Sequence, residues 1–376
     1  MIYANYAATS PALSHDVVRE LSAYLQETHL NAGRNFEGLE TGTIALRARK
    51  AVGKLFNVTN PLRVIFTSGA TAALNMAING LLKPGCHVIA TGVEHNASAR
   101  PLNALHKAGI IKLEWLKCAG DGSLEPESVK KAIKKNTRLL VMTHASNVLG
   151  TILPVKDCFE IAKKNNVFTV LDTAQTGGVL PCTMDDFCDV MAFAGHKGLG
   201  GLAGCGGFAL SERAALELTP WLRGGTGSAS QSFDMPETLP DKFEPGTQNT
   251  IGILSLAVSV EEILRIGVEK IRELELNLVA RFLSGLQCIK KIEVCGTGAA
   301  ATGVAVVSVV IHNRDTGDVS RQLFEDNGII TRSGLHCSPL AHKTAGTFPS
   351  GTVRFSFGRY TTEAEIDTIL EALDTL

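Results

Sequence analysis

The sequence has no excess of charge of either sign. Its 376 residues include 36 Lys and Arg against 37 Asp and Glu, which leaves a formal net charge of −1. Without a positive field the chain does not attract nucleic acid or anionic membranes non-specifically, so we expect neither as a partner. The cluster Lys130, Lys131, Lys134 and Lys135 recurs at helical spacing and indicates one solvated helix face.

Long apolar runs and a secretory leader are also absent. The most apolar internal run, Val304–Ile311, is too short to span a bilayer. The first residues, Met1–Asn5, contain neither the basic nor the apolar region of a signal peptide. Both absences predict a cytoplasmic protein.

The chain has no C-x-x-C pair among its nine cysteines. An odd number without such pairs indicates free thiols in a reducing compartment rather than a disulfide framework. His336, Cys337 and His342 could form a metal corner, but no second cysteine or acidic ligand lies nearby in sequence. We therefore predict no metal site and favour a role for the thiol.

Short apolar runs alternate with amphipathic stretches of helical length, which predicts an α/β fold with a largely parallel sheet wrapped by helices. The predicted strands are 63–67, 87–91, 138–143, 168–171 and 189–193, and the predicted helices are 70–82, 97–107, 126–135 and 155–165. From about Gly252 the pattern changes to a long helical stretch over 254–286, strands at 304–311 and 352–357, and a helix over 362–373. This pattern predicts a smaller C-terminal α+β domain, with Arg223–Asn249 as a surface loop.

Polar groups follow the carboxyl ends of five predicted strands, the edge where open parallel sheets bind ligands. They are Ser68–Thr71, His95, Asn147, Asp172 and Lys197. Lys197 is placed to form a Schiff base, and Asp172 to face it across a pyridinium ring, which suggests pyridoxal phosphate chemistry. Taken singly, Lys197 could be a surface lysine and Asp172 a loop carboxylate.

The neighbouring groups fit the same cofactor. The turn Ser68–Thr71 opens a helix and suits a phosphate, although a capped glycine turn is a common alternative. His95 could stack on a planar cofactor or be an ordinary loop histidine. Gln175 and Asn147 could donate to a phenolic oxygen, while Asn147 is also a normal turn residue.

A formal G-x-G-x-x-A match over Gly198–Ala203 is not read as a dinucleotide fingerprint, because the next apolar run, Phe208–Leu210, predicts a strand and not a helix. These glycines instead allow close backbone approach beside Lys197. Near the C-terminus, Cys337 stands among polar residues with His and Arg nearby, which suits a reactive thiol as well as a small buried side chain. Arg354, on an otherwise apolar strand, needs an anionic partner such as a substrate carboxylate.

Together these residues resemble the class V aminotransferases, and within them the cysteine desulfurases and selenocysteine lyases. The similarity spans nearly the whole chain. The motifs that carry it are Tyr6–Thr9, Thr67–Thr71, Glu94–Asn96, Ser146–Gly150, Asp172–Gln175, Gly195–Lys197, Phe243–Thr247 and Arg332–Cys337.

The resemblance implies a pyridoxal-phosphate transferase of fold type I, with a large domain over 1–255, a small domain over 256–376 and residues 1–14 packed on the small domain. It implies that Lys197 is the Schiff-base lysine, that His95 stacks on the ring, and that Asp172 holds the ring nitrogen. Asn147 and Gln175 would lie at the ring face and phenolic oxygen. Ala70, Thr71 and His196 would hold the phosphate, with Thr247 reaching it from the partner of a homodimer.

The resemblance also implies the reaction. L-Cysteine would be converted to alanine while Cys337 accepts the sulfur as a persulfide, and Arg354, with Asn147 and Arg332, would bind the substrate. The interval of 17 positions from Cys337 to Arg354 resembles the group with a short cysteine loop. A sulfur-acceptor protein is a further expected partner.

Three departures stand out. Ala194 replaces a phosphate-binding Ser or Thr, Asn5 replaces an Asp, and Gly198–Gly200 replaces the usual aromatic and proline after the lysine. The alternatives are a selenocysteine lyase, a class V aminotransferase or other lyase, and a non-enzymatic scaffold in sulfur trafficking.

Overall fold

The computed structural model describes residues 1–27, 38–184 and 188–376. The helices are α1 His15–Glu27, α2 Gly38–Leu55, α3 Ala70–Leu81, α4 Asn96–Lys107, α5 Pro126–Ala132, α6 Val155–Lys164, α7 Glu212–Glu217, α8 Thr250–Ile266, α9 Val268–Leu286, α10 Thr316–Asn327, α11 Pro339–Ala345 and α12 Glu363–Thr375. The strands are β1 Ile2–Tyr3, β2 Val64–Thr67, β3 His87–Thr91, β4 Lys112–Leu116, β5 Thr137–Thr143, β6 Phe168–Asp172, β7 Val190–Ala194, β8 Gly206–Leu210, β9 Ile292–Cys295, β10 Val306–Ile311, β11 Ile329–Ile330, β12 Arg332–Gly334 and β13 Thr352–Ser356.

The large sheet has seven strands in the order β2-β8-β7-β6-β5-β3-β4. Pairing is parallel from β7 to β4, and β8 is antiparallel to both of its neighbours. Most of its strands are apolar and buried, because helices cover both faces. The prediction of an α/β fold with a mostly parallel sheet is confirmed.

A second sheet, in the order β12-β13-β10-β9, is antiparallel throughout. Its buried face packs on α9 and α12, with Phe282 between Phe355 and Phe357. Strand β1 pairs in parallel with β11, and Asn5 bridges to Ser356. The first residues of the chain therefore lie against the second sheet.

The predicted helix over 254–286 is wrong in one respect: it is two helices, α8 and α9, separated at Gly267, whose φ of 93° is unfavourable for residues with a side chain. Helix α8 crosses the predicted domain boundary at 255 and packs in the core of the large sheet through Ile253, Leu256 and Val260. The division at 255 remains a prediction, and this packing favours a boundary at Gly267.

The lysine cluster also differs from the prediction. Helix α5 ends at Ala132, so Lys134 and Lys135 follow it, and Lys134 pairs with Glu114 on β4. The predictions also lacked the helices α1, α2, α7, α10 and α11 and the strands β1, β4, β9, β11 and β12. In the described part of the chain, no helix combines the length and apolar character needed to cross a membrane.

Candidate active site

The polar groups predicted at the strand ends meet around one cavity. The lining residues come from the carboxyl ends of β2, β3, β5, β6 and β7, and they include Ser68, Gly69, Ala70, Thr71, His95, Asn147, Asp172, Gln175, Ala194, His196 and Lys197. These strands run in the same direction, since β8 reverses direction between β2 and β7. The topology therefore places side chains that are distant in sequence around one cavity.

The N-terminus of α3 forms one wall of this cavity. Gly69 precedes the helix with φ 147°, and no side chain caps it. The first N–H groups of a helix have no partner within the helix, and the helix dipole favours negative charge there. Ala70 and Thr71 present these groups to the cavity, which suits a phosphate. Ala194 also lines this cavity and brings no hydroxyl.

Asp172 and Lys197 supply the ionisable groups of the cavity. Asp172 is buried, and its Oδ1 accepts a hydrogen bond from the Ala174 backbone N–H at 2.9 Å. Burial raises the pKa of the Asp172 carboxyl, so a cationic ring nitrogen beside it would supply the missing counter-charge. Desolvation lowers the pKa of Lys197 to about 8, against the opposing effect of Asp172. A fraction of the Lys197 amine is therefore neutral at physiological pH.

His95 caps helix α4. Its Nδ1 accepts from the Ala97 backbone N–H at 3.0 Å, which leaves the ring proton on Nε2. Burial, aided by the charge of Lys197, lowers the pKa of His95 to about 4. A neutral, flat ring of this kind suits stacking on a cofactor.

Glu94 is a buried carboxyl that the sequence reasoning left without a role. Its Oε1 accepts from the Thr91 hydroxyl at 2.7 Å and from the Thr143 backbone N–H at 2.8 Å. Burial raises the pKa of Glu94 to about 8. Glu94 thus joins the ends of β3 and β5, directly beside His95.

The N-terminal segment fastens two of the predicted cofactor ligands. His196 Nδ1 lies 3.0 Å from the Thr9 hydroxyl oxygen. One amide hydrogen of Gln175 goes to the Ala7 carbonyl at 3.1 Å, so the second remains for another acceptor. Residues 7–9 thereby hold two side chains that line the cavity.

Asn147 connects the cavity to the loop 335–338, which carries Cys337 and is called the cysteine loop below. Its Nδ2 donates to the His336 carbonyl at 2.8 Å, and its Oδ1 accepts from the Ser338 hydroxyl at 2.6 Å. Its backbone carbonyl accepts from Nη1 of Arg354 at 2.9 Å. Both ends of the Asn147 amide, predicted to meet cofactor and substrate, therefore bind the protein itself.

Cys337 is exposed on this loop at the edge of the site. Nη2 of Arg332 lies 3.3 Å from its Sγ, and the Asn96 backbone N–H donates to its carbonyl at 2.8 Å. The His336 and His342 rings are buried, with centroids 5.5 Å apart. Among the described residues, no three His, Cys, Asp or Glu side chains form a metal-binding group.

Arg354 is fully buried, yet its bonded partners are neutral. Besides Asn147, it donates from Nη2 to Oδ1 of Asn5 at 3.1 Å. Burial, with repulsion from Arg332, lowers the pKa of Arg354 to about 9. No carboxylate pairs with it in the chain as described. An aspartate at position 5 would place a negative charge against this guanidinium, whereas Asn5 offers a neutral acceptor.

Thr247 is exposed and does not line the cavity of its own chain. It ends a long loop whose base is fixed by Glu244, which lies 2.5 Å from Arg49 Nη2 and accepts from the Phe66 backbone N–H at 2.6 Å. That Thr247 acts in a partner subunit remains a prediction.

The Gly198–Ala203 segment leads into β8 and not into a helix, as predicted from the sequence. A Cβ at Gly198 would lie 2.5 Å from the Gly177 carbonyl oxygen, so the two backbones approach closely beside Lys197.

Ser338 is a residue near the site that the sequence analysis did not identify, although its sequence context carries a signal. A serine before Pro339 predicts a helix cap, but its hydroxyl binds Asn147 instead.

The family model for aminotransferase class V matches residues 2–369. A probable cysteine desulfurase of Methanothermobacter thermautotrophicus is 31% identical over all of this chain and 94% of its own length. A cysteine desulfurase of Pectobacterium atrosepticum is 29% identical over 98% of this chain and 92% of its own.

Among solved structures, the apo cysteine desulfurase from Thermococcus onnurineus superposes with a TM-score of 0.92 at 29% identity, covering 100% of this chain and 94% of the other. The cysteine desulfurase CsdA from Escherichia coli gives a TM-score of 0.89 at 23% identity over 99% of this chain and 94% of its own. The likeness to CsdA concerns the fold alone.

Proposed function

The chain belongs to the aminotransferase class V family, and we propose that it is a cysteine desulfurase that uses pyridoxal 5′-phosphate to convert L-cysteine to L-alanine while Cys337 takes up the sulfur. The observation that carries this proposal is the position of Cys337. An exposed thiol beside Arg332 is held, through Asn147, at the edge of a cavity that contains Lys197 and Asp172. A transaminase needs no such thiol.

The cavity residues fit the cofactor. Ala70, Thr71 and His196 would hold the phosphate at the open end of α3, and Asp172 would face the ring nitrogen. His95 would lie on the ring face, and Lys197 would hold the cofactor covalently. When bound, the cofactor ring accepts the electron pair released at the substrate α-carbon.

The chain's own residues carry the remaining steps. Arg354 binds the substrate carboxylate, for which its neutral partners leave its charge available. Lys197, with its lowered pKa, takes the α-proton and returns protons to the carbon framework. The Cys337 thiolate attacks the substrate sulfur, so that a sulfur–sulfur bond forms as the bond from sulfur to the β-carbon breaks. Alanine leaves, and a persulfide remains on Cys337.

Exposed surfaces support the two partner predictions. Trp221, Leu222 and Phe233 are exposed around the start of the loop that carries Thr247, which supports a homodimer interface there. The exposure of Cys337 would allow a sulfur-acceptor protein to reach the persulfide. All nine cysteines are free, which supports a reducing cytoplasmic setting.

The test is an assay of purified enzyme with L-cysteine that measures L-alanine and sulfide together, with and without a reductant. We expect alanine in both cases, limited to about one turnover per site without reductant. Lys197→Ala should form none. Cys337→Ala should lose activity with L-cysteine but keep activity with selenocysteine, because selenium is a better leaving atom. The exposed Cys288, in the turn that follows α9, provides Cys288→Ala as a matched control that should retain full activity.

The alternatives have distinct results. Full activity of Cys337→Ala on both substrates would replace the desulfurase by a lyase in which the thiol is incidental. Activity of the wild type on selenocysteine alone would indicate a selenocysteine lyase. Amino transfer to a keto acid without alanine from cysteine would indicate a transaminase, and a colourless protein without any activity would indicate a scaffold.

A further inference from the structure

The backbone at the nucleophile is held in an unfavourable conformation. His336 and Cys337 have φ values of 49° and 60°, which place two consecutive residues with side chains in the left-handed region. This conformation is unfavourable for a residue with a side chain and persists only where surrounding contacts fix it. The loop must therefore be held by bonds to the rest of the molecule.

Three of these bonds converge on the loop from the cavity side. The Asn147 amide accepts a hydrogen bond from the Ser338 hydroxyl and donates one to the His336 carbonyl, so it holds the residues on both sides of Cys337. The Asn96 N–H holds the carbonyl of Cys337 itself. Because the Asn147 backbone also binds Arg354, one residue fixes both the nucleophile loop and the carboxylate-binding arginine.

The Ser338 hydroxyl does not form the hydrogen bond that its position in the sequence predicts. Ser338 stands at the N-cap of α11, directly before Pro339, where a serine side chain ordinarily accepts from a backbone N–H of its helix. Here it makes no cap bond and donates to Asn147, 191 positions away. Ser338 is fully buried, so water cannot replace this bond without structural change.

We propose that Ser338 is a positioning residue for the desulfurase reaction: its bond to Asn147 fixes the Cys337 thiol relative to the substrate held by Arg354. This inference rests on the proposed function. Attack on sulfur depends on the distance and direction of the thiol, and errors of about 1 Å reduce such rates by about two orders of magnitude. Steps that need only Lys197 and the cofactor do not depend on this bond.

The test uses Ser338→Ala in the cofactor-loaded enzyme, with Ser308→Ala as the matched control. Ser308 is also fully buried and donates to the carbonyl of Val148, next to Asn147 in the chain, but it does not touch the cysteine loop. Both variants lose one buried hydrogen bond on the same segment. Three quantities are measured: kcat and KM for L-cysteine, exchange of the L-alanine α-hydrogen in D2O, and amide exchange of the peptide that contains Cys337.

For Ser338→Ala we expect kcat to fall about tenfold, the equivalent of one buried hydrogen bond, with KM unchanged. Exchange of the alanine α-hydrogen, which needs Lys197 but no thiol, should stay within about twofold. Amide exchange around Cys337 should accelerate, and Ser308→Ala should change neither kcat nor this peptide.

The proposal would be overturned if kcat of Ser338→Ala equals that of the wild type or of Ser308→Ala, or if alanine exchange falls as much as kcat, since Ser338 would then act on the cavity. Failure of the proposed function looks different. The wild type would form no alanine from cysteine, while the amide exchange of the cysteine loop would still report whether Ser338 holds it.

Discussion

Arg49 and Arg354 are both buried, but they meet opposite surroundings. Nη2 of Arg49 lies 2.5 Å from Glu244, its Nη1 donates to the Val64 carbonyl, and its guanidinium lies 4.7 Å from the centre of the Phe66 ring. Arg354 has two neutral oxygen acceptors, and its Nε has no partner in the described structure. The charge of Arg49 is compensated by a carboxylate of the protein, whereas the charge of Arg354 is not.

This difference separates a structural charge from a functional one. A buried charge is costly unless it is paired, so the fold places Glu244 against Arg49 at the base of the loop that leads to Thr247. At Arg354 the lowered pKa is a sign that the cost has not been offset. We infer that a substrate carboxylate supplies the missing charge. The same substitution at the two sites should therefore have opposite consequences.

The largest expected effect is that of Arg354→Met on catalysis. Loss of two charge-assisted hydrogen bonds to the substrate should lower kcat/KM for L-cysteine by about 10³-fold. Thermal stability should stay the same or rise, because an uncompensated charge is removed. Steady-state kinetics and a melting curve of the same preparation test both statements. A marked fall in Tm would show that Arg354 is a structural residue like Arg49 and would contradict the distinction between them.

Next in size is the effect of Arg49→Met on folding. This change leaves Glu244 buried without its partner, so the free energy of unfolding should fall by about 3–5 kcal/mol. Denaturant titration gives this value, and kcat/KM of the folded fraction should change little in the same preparation. Unchanged stability would show that the ion pair contributes nothing beyond its desolvation cost.

Asn5→Asp makes the two arginines alike. An aspartate at this position would pair with Arg354 and compete with the substrate carboxylate, so KM for L-cysteine should rise about tenfold while Tm increases. Asn5→Ala, which removes only a neutral acceptor, serves as the control and should change KM far less. A KM for Asn5→Asp at or below that of the wild type would mean that Asn5 does not keep Arg354 available.

Lys197 differs from both arginines, because a carboxylate lies near it but does not offset its burial. Asp172 raises the pKa of Lys197, and the larger effect of desolvation lowers it to about 8. Uptake of pyridoxal phosphate by cofactor-free protein requires the neutral amine, so its rate should increase with pH through this value, about tenfold from pH 7 to pH 9. In Asp172→Asn the opposing charge is lost, and the midpoint should move to lower pH. Absorbance of the bound cofactor follows the rate. A midpoint near 10.5 would contradict the effect of burial.

The residues around the cavity were predictable because each lies at the carboxyl end of a strand or within a few residues of it. Lys197, Asp172 and His95 needed only the rule that parallel strands end at one edge of a sheet. The bonds that connect the cavity to the cysteine loop were not predictable. Asn5 meets Arg354 across 349 positions, and Ser338 abandons the cap that its sequence context predicts. Such contacts depend on how the second sheet packs against the first, which local sequence patterns do not specify.

The fold shows the same limit. Apolar runs predicted the strands of the large sheet except β4, whereas the break between α8 and α9 depended on one residue, Gly267, in an otherwise continuous helical pattern. Its conformation allows α8 to pack on the large sheet and α9 on the second one. Helical periodicity correctly predicted that both segments are helical, but it did not predict the break between them.

The central claim is that sulfur from L-cysteine is transferred to Cys337, and mass spectrometry after a brief cysteine pulse tests it most directly. The reaction is quenched with an alkylating reagent in the absence of reductant, and the enzyme is digested. The mass of the peptide that contains Cys337 is then measured. We expect one added sulfur atom on that peptide, with none on the peptide that contains the exposed Cys288. An unmodified Cys337 peptide, in a sample that has formed alanine and sulfide, would contradict it.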